Sequence, residues 1–239
     1  MPQGMTTIGF IGSGHIGSTV ARLAVAAGHE VVLSNSRGPQ TLADLVADLG
    51  PRARAATPEG AAAAGDLVVL TIPLHAHRTV PAEPLRGKVV LDTSNYYPQR
   101  DGHVAELDDG STTVSELVRA HLPGARVVKV FNNINFAHLG ELARPGGHPE
   151  RSPLAVAGDD DSAKQDVAGF LDSIGYDTLD VGPLAEGWRF ERDTPAYGLP
   201  YMDPRYAGGS PDGGLGPGVP TTADALREAL AAAVRHRGA

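Results

Sequence analysis

The stretch Thr7-Ile8-Gly9-Phe10-Ile11-Gly12-Ser13-Gly14-His15-Ile16-Gly17 decides how the rest of the chain is read. A short apolar run stops at glycines spaced Gly12-x-Gly14-x-x-Gly17. Residues 15–27 then place Ile16, Val20, Leu23 and Ala24 at helical spacing, which predicts strand, tight turn, helix. Gly28 ends that helix, and Glu30-Val31-Val32-Leu33-Ser34 follows as a second apolar strand. The first unit is therefore βαβ.

Outward from this unit the alternation continues. A helix is expected over 41–49, a short strand near 54–56, and a helix over 58–64 behind a Thr57 cap. Asp66-Leu67-Val68-Val69-Leu70-Thr71 and Lys88-Val89-Val90-Leu91-Asp92 are continuous apolar runs, as strands covered on both faces require. A helix over 114–121 and a strand over 126–131 complete six strands. Strands alternating with helices imply an α/β fold with a doubly wound, mostly parallel Rossmann sheet. A short helix over 136–142 leads to Pro145-Gly146-Gly147. A strand at 154–157, a helix at 162–174 and a strand at 178–181 are then expected as one more unit at the sheet edge. Residues 1–184 are thus assigned to the main domain. Residues 185–239 form a Pro/Gly-rich arm with a terminal helix over 222–235, as cleft cover or dimer contact. Trp188, Phe190, Tyr197, Tyr201 and Tyr206 lie in that arm, too many aromatics for a solvated linker.

Composition excludes several functions. The 239 residues carry a formal charge of -8 and no basic stripe, so nucleic acid is not an expected partner. With no cysteine there is no disulfide, catalytic thiol or cysteine-held metal, and redox chemistry would fall to an organic cofactor. Residues 1–6 lack a leader's basic start, and no run approaches a membrane span, so a cytoplasmic protein with no membrane partner is expected.

The glycine spacing matches the dinucleotide fingerprint, in which backbone N–H groups at a helix start face a pyrophosphate. Gly12, Ser13, Gly14, His15, Ile16 and Gly17 are the candidates. After the second strand comes Ser34-Asn35-Ser36-Arg37, with hydroxyls and a guanidinium where an NAD enzyme would hold an acid. That favours a 2′-phosphate, hence NADP. The ends of the later strands offer Thr71-Ile72-Pro73, Ser94-Asn95 and Asn132-Asn133-Ile134-Asn135. The asparagines suit either a carboxamide or substrate contact, or structural capping of the strand end. His75 and His77 are read as loop residues with no metal site, and Asp159-Asp160-Asp161 as an acidic helix start.

Several segments in order, Gly9 to Gly17, Ser34 to Arg37, Thr71-Ile72-Pro73, Val127 to Asn132, Ala157 to Asp160 and Asp180 to Leu184, resemble the NADP-dependent oxidoreductases of the deazaflavin coenzyme F420. The Rossmann domain of that family is shared with the STEAP metalloreductases. The resemblance implies an NADP-dependent oxidoreductase passing hydride between nicotinamide and a bound acceptor such as a deazaflavin. By residue, it places Gly12 to Ile16 on the pyrophosphate, Ser34 and Arg37 on the 2′-phosphate, Ile72 and Pro73 along the nicotinamide ribose, and Asn132 and Ile134 beside the nicotinamide. The family's glycine loop commonly has Asn where this chain has His15, and the arm does not match its hydrophobic C-terminal helices. A ferric chelate is an alternative acceptor, as is an imine or carbonyl, which would need a proton donor from among Tyr96, Tyr97, His138 and Tyr197. A non-catalytic NADPH sensor is the other alternative. A homodimer is expected.

Overall fold

A computed structural model describes residues 6–207 and 215–235. Residues 1–5, 236–239 and the 208–214 portion of the arm lie outside the described residues. In chain order the elements begin β1 (Thr7–Ile11), α1 (His15–Ala26), β2 (Glu30–Ser34), α2 (Ala43–Leu49), β3 (Ala53–Ala55), α3 (Pro58–Ala64) and β4 (Leu67–Leu70). Next come β5 (Val89–Asp92), α4 (Pro98–Asp101), α5 (Ala105–Asp108), α6 (Val114–His121), β6 (Arg126–Lys129) and α7 (Phe136–Glu141). β7 (Pro153–Gly158), α8 (Asp161–Ser173), β8 (Asp177–Gly182) and α9 (Ala223–Ala231) complete the set.

One eight-stranded sheet runs in the order β3-β2-β1-β4-β5-β6-β7-β8. Every pairing is parallel except β6 with β7, and the β7-α8-β8 unit forms the expected parallel edge. The β4 and β5 strands are buried at every residue, because helices cover both faces of the sheet. Ile8, Phe10, Leu33, Val69 and Leu91 pack with Val20 and Ala24 of α1 on one face. Ile11, Val68, Leu70 and Val90 pack with Ala62 of α3 and Val114 and Val118 of α6 on the other. The chain reverses its winding beside β1, which has β2 on one side and β4 on the other. A crevice opens at the carboxyl ends of strands at such a switch point.

The boundaries differ from the sequence reading where local chemistry intervenes. Residues 39–49 divide into a 3-10 turn, Pro39–Leu42, and α2, because Pro39 opens a turn before the helix. β6 stops at Lys129, and Phe131 takes a left-handed φ of 65° that turns the chain out of the strand. α9 ends at Ala231, short of Arg235, whose guanidinium donates to the Thr112 carbonyl at 3.0 Å.

The aromatic arm packs on the chain's own sheet. Phe190 and Ala196, with Leu226 and Leu230 of α9, cover Ala155, Ala157 and Leu179 of β7 and β8. Tyr201 is fully buried and its hydroxyl donates to the Pro153 carbonyl at 2.9 Å.

Candidate functional site

The turn after β1 takes a shape that requires glycine. Gly12 has φ +107°, and a Cβ there would lie 2.1 Å from the Thr71 carbonyl oxygen. A Cβ on Gly17 would meet Thr71 Cγ2 at 2.7 Å, so its absence lets α1 abut the end of β4. At Gly14 nothing lies within 4 Å of a Cβ, so the space over the helix start is open. Side chains of Thr57, Thr113, Asn135, Asp160 and Thr222 cap five other helices. Gly14 caps α1 without a side-chain bond, and no acid stands in the first turn. The first-turn N–H groups and the positive end of the helix dipole therefore face the opening, where an anion fits.

That opening is a cavity of about 390 Å³ reaching from Gly12, Ser13 and Gly14 to Asn35, Ser36 and Arg37. The Arg37 loop is held in place from within. Asn35 Oδ1 accepts from the Arg37 N–H at 2.9 Å, and Asn35 Nδ2 donates to Thr41 at 2.9 Å. Ser34 does not join it. Its side chain is fully buried and the hydroxyl donates to the Phe10 carbonyl at 2.7 Å, because a residue on β2 that points into the sheet must satisfy its hydroxyl there.

Thr71, Ile72 and Pro73 form a ridge shared with a second cavity of about 400 Å³. Its walls include His15, Ile16, Ser94, Asn95, Asn132 and Ile134. Asn132 is 4 % exposed, and its Nδ2 donates to the Phe190 carbonyl at 2.8 Å and to Asn95 Oδ1 at 3.3 Å. Asn132 Oδ1 and Ser94 Oγ are buried without a hydrogen-bond partner, so two polar atoms on this wall await one.

Asn133 and His15 depart from expectation. Asn133 is fully buried and does not line the cleft; its Nδ2 donates to the Ala196 carbonyl at 3.1 Å, tying the arm to the turn after β6. Asn135 caps α7. The asparagine trio therefore divides into Asn132, a cleft residue with an open acceptor, Asn135, which lines the same cavity while capping α7, and Asn133, which is structural. His15 does not point at the glycine turn's cavity but stacks on Phe136, ring centroids 4.3 Å apart, at the second cavity.

The opposite wall carries Tyr97, Arg100 and Tyr197. The two phenol oxygens lie 2.5 Å apart, and Arg100 and Arg192 sit over the Tyr97 ring at 4.7 and 5.2 Å. Burial, reinforced by the bond to Tyr97, pushes the Tyr197 phenol well above its usual range. The other donor candidates lie elsewhere: Tyr96 donates to Asp108 at 2.7 Å, and His138 is 1 % exposed with Nε2 at 3.1 Å from the Gly216 carbonyl.

Two supports were not legible in the sequence. Asp101 has no exposed side-chain surface and accepts from the Tyr97 N–H at 2.9 Å, from Arg100, and from His75. Burial opposes its ionisation, but these donors outweigh it and hold the carboxyl at about 2. Lys129, fully buried behind the cleft, reaches Glu191 at 3.1 Å and donates to the Ser94 carbonyl at 3.1 Å. Nothing in the sequence marks them, since the His75 donor to Asp101 and the Lys129 partner of Glu191 come from distant segments. Among the described residues no group of three or more His, Asp or Glu is placed to hold a metal. His75 and His77 turn to different partners, Asp101 and the Leu74 carbonyl. No helix among the described residues is long and apolar enough to cross a membrane.

Residues 7–96, which contain β1 to β5 and the glycine turn, match the family model described as NADP oxidoreductase, coenzyme F420-dependent. The F420-dependent NADP reductase of Methanothermobacter thermautotrophicus is 28% identical over 198 residues, 77% of this chain and 84% of that protein. The metalloreductase STEAP3 of Rattus norvegicus is 26% identical over 193 residues, 80% of this chain, but the match spans only 37% of STEAP3. The crystal structure of a hypothetical protein from Sinorhizobium meliloti superposes with a TM-score of 0.69 at 30% identity, covering 79% of this chain and 91% of that one. The glycine turn, the guanidinium loop after β2 and the Thr71-Ile72-Pro73 ridge all fall within the residues that match the coenzyme F420-dependent NADP oxidoreductase model, so the nucleotide cleft is the part of the chain that is similar to that family.

Proposed function

We propose that the chain binds NADPH across its two cavities and passes hydride to a flat acceptor, a deazaflavin coenzyme being the first candidate. The observation that carries this reading is the pair of cavities meeting at Thr71, Ile72 and Pro73, one with anion-binding chemistry and one with ring-shaped walls. The nicotinamide supplies the hydride when bound. The protein's own groups bind, orient and exclude water.

The N–H groups at the start of α1 hold the pyrophosphate, and Asn35, Ser36 and Arg37 take the 2′-phosphate. Asn132 has its Nδ2 committed to Phe190 and Asn95, which fixes the amide plane and leaves Oδ1 to accept from the carboxamide. Ile72, Pro73 and Ile134 supply apolar surface beside the ring. His15 stacked on Phe136, and Tyr97 paired with Tyr197, bound the acceptor's side with aromatic faces. Holding two rings in contact is the main contribution such a site makes to hydride transfer.

The deazaflavin is favoured over an imine or carbonyl because the cleft phenols are poorly set to donate a proton. Tyr97 and Tyr197 are bonded to each other, and Tyr197 is held protonated far above neutral pH. Stopped-flow mixing of the NADPH-loaded protein with oxidised deazaflavin should show loss of the cofactor's absorbance together with that of the deazaflavin. Tight NADPH binding with no absorbance change would discard this acceptor. Steady turnover with a cyclic imine or a ferric chelate would then identify the other class, and binding without turnover on any of them would favour the sensor.

A further inference from the structure

Beside the Arg37 loop, the 3-10 helix Leu74–Thr79 walls the same cavity and presents His75 to it. His75 has 51 % of its side chain exposed, while its Nδ1 is anchored at 3.0 Å on the Asp101 carboxylate, which has no exposed surface. The Asp101 oxygen that holds the ring also accepts from the His75 N–H at 3.3 Å, so backbone and imidazole are fixed by one atom. A carboxylate on Nδ1 sets the tautomer and leaves Nε2 as the ring's outward polar atom. The anchored ring thus adds a polar group to a cavity already lined by Arg37 and by the α1 N-terminus.

We propose that His75, held by Asp101, is a phosphate-binding residue for the dinucleotide, its Nε2 hydrogen-bonded to a phosphate oxygen of bound NADP. The inference rests on the NADP reading of the cavity and adds to it a contact from the β4 side, facing the Arg37 loop on the β2 side. It also accounts for a fully buried carboxylate at the cleft whose five donors come from the segments after β4 and β5. The chemistry is an imidazole–phosphate hydrogen bond, available from either the 2′-phosphate or the pyrophosphate.

Calorimetric titration with NADP and with NAD separates these sources and needs no turnover. Relative to the unsubstituted chain, His75→Leu should raise the NADP dissociation constant roughly ten-fold or more. His75→Lys should recover most of that loss, and Asp101→Asn should show a smaller loss than His75→Leu, because an amide oxygen still orients Nδ1 without its charge. A loss confined to NADP puts the imidazole on the 2′-phosphate; a loss shared with NAD puts it on the pyrophosphate. Unchanged NADP affinity in His75→Leu overturns the proposal. So does a loss that Lys does not restore, which would report packing. If the unsubstituted chain binds neither nucleotide, the cofactor reading itself fails, and that is visible before any variant is made.

Discussion

At the scale of single residues, the cleft divides the polar positions after β2 between two jobs. Ser34 is committed to the Phe10 carbonyl inside the sheet, whereas Arg37 lines the cavity on a loop braced by Asn35 and Gln40. Arg37→Ala should therefore raise the dissociation constant for NADPH about ten-fold or more and leave that for NADH nearly unchanged, read by fluorescence titration. Ser34→Ala should do the reverse: about 1 kcal/mol of stability lost in urea unfolding, with the NADPH preference intact. Equal effects of the two on nucleotide selectivity would reject the division. The sequence shows both residue types in the right segment but not which way each points. A two-residue period assigns faces only while the strand lasts, and the strand ends at Ser34. The same limit explains Asn132 and Asn133, which follow a strand cut short at Lys129 by the turn through Phe131.

At the scale of elements, strands and helices of the Rossmann half are legible because burial on both faces forces unbroken apolar runs, and because Gly and Pro mark the ends. The antiparallel direction of β7 is not, since hydrophobicity carries no sense of direction along a strand. Nor are the 3-10 segments of the arm, whose docking depends on particular long-range partners. The strongest of those is Lys129, which holds the 3-10 helix Leu184–Phe190 and the following Glu191 to β6 and β5. A Cβ on Gly187 would lie 2.8 Å from Lys129 Cδ, so the helix approaches closely enough to bury the lysine stem. Lys129→Met should cost roughly 3 kcal/mol, because it leaves the largely buried Glu191 unpaired and strips the Ser94 carbonyl of its donor. Adding Glu191→Gln should return a substantial part of that loss. Additive losses in the double variant, measured by urea midpoints, would mean the pair is not coupled.

At the scale of the whole molecule, the two loops that wall the cleft after β4 and β5 meet on one carboxylate, and this links stability to acid. Asp101 sits at about 2 in the folded chain against an ordinary 3.8, so the folded state binds its proton less readily than the unfolded one. The contribution is fully present above about pH 5, declines as pH falls through 3.8 toward 2, and amounts to roughly 2 kcal/mol. Asp108, Asp109 and Asp160 are also held below the usual carboxylate range, by donors on nearby residues, but they titrate at the surface and their effect is screened. Asp101→Asn should accordingly be less stable than the unsubstituted chain at pH 6, show a flatter loss of urea midpoint between pH 5 and 2.5, and converge with it near pH 2. The single tryptophan, Trp188, lies in the arm under Arg189 and Arg235, so its emission reports whether the arm leaves the sheet in the same transition as the far-ultraviolet signal. Coincident transitions are expected, because Phe190 and Tyr201 belong to the core that β7 and β8 close. An Asp101→Asn curve parallel to that of the unsubstituted chain across the acid range would mean that the carboxylate does not fasten the cleft.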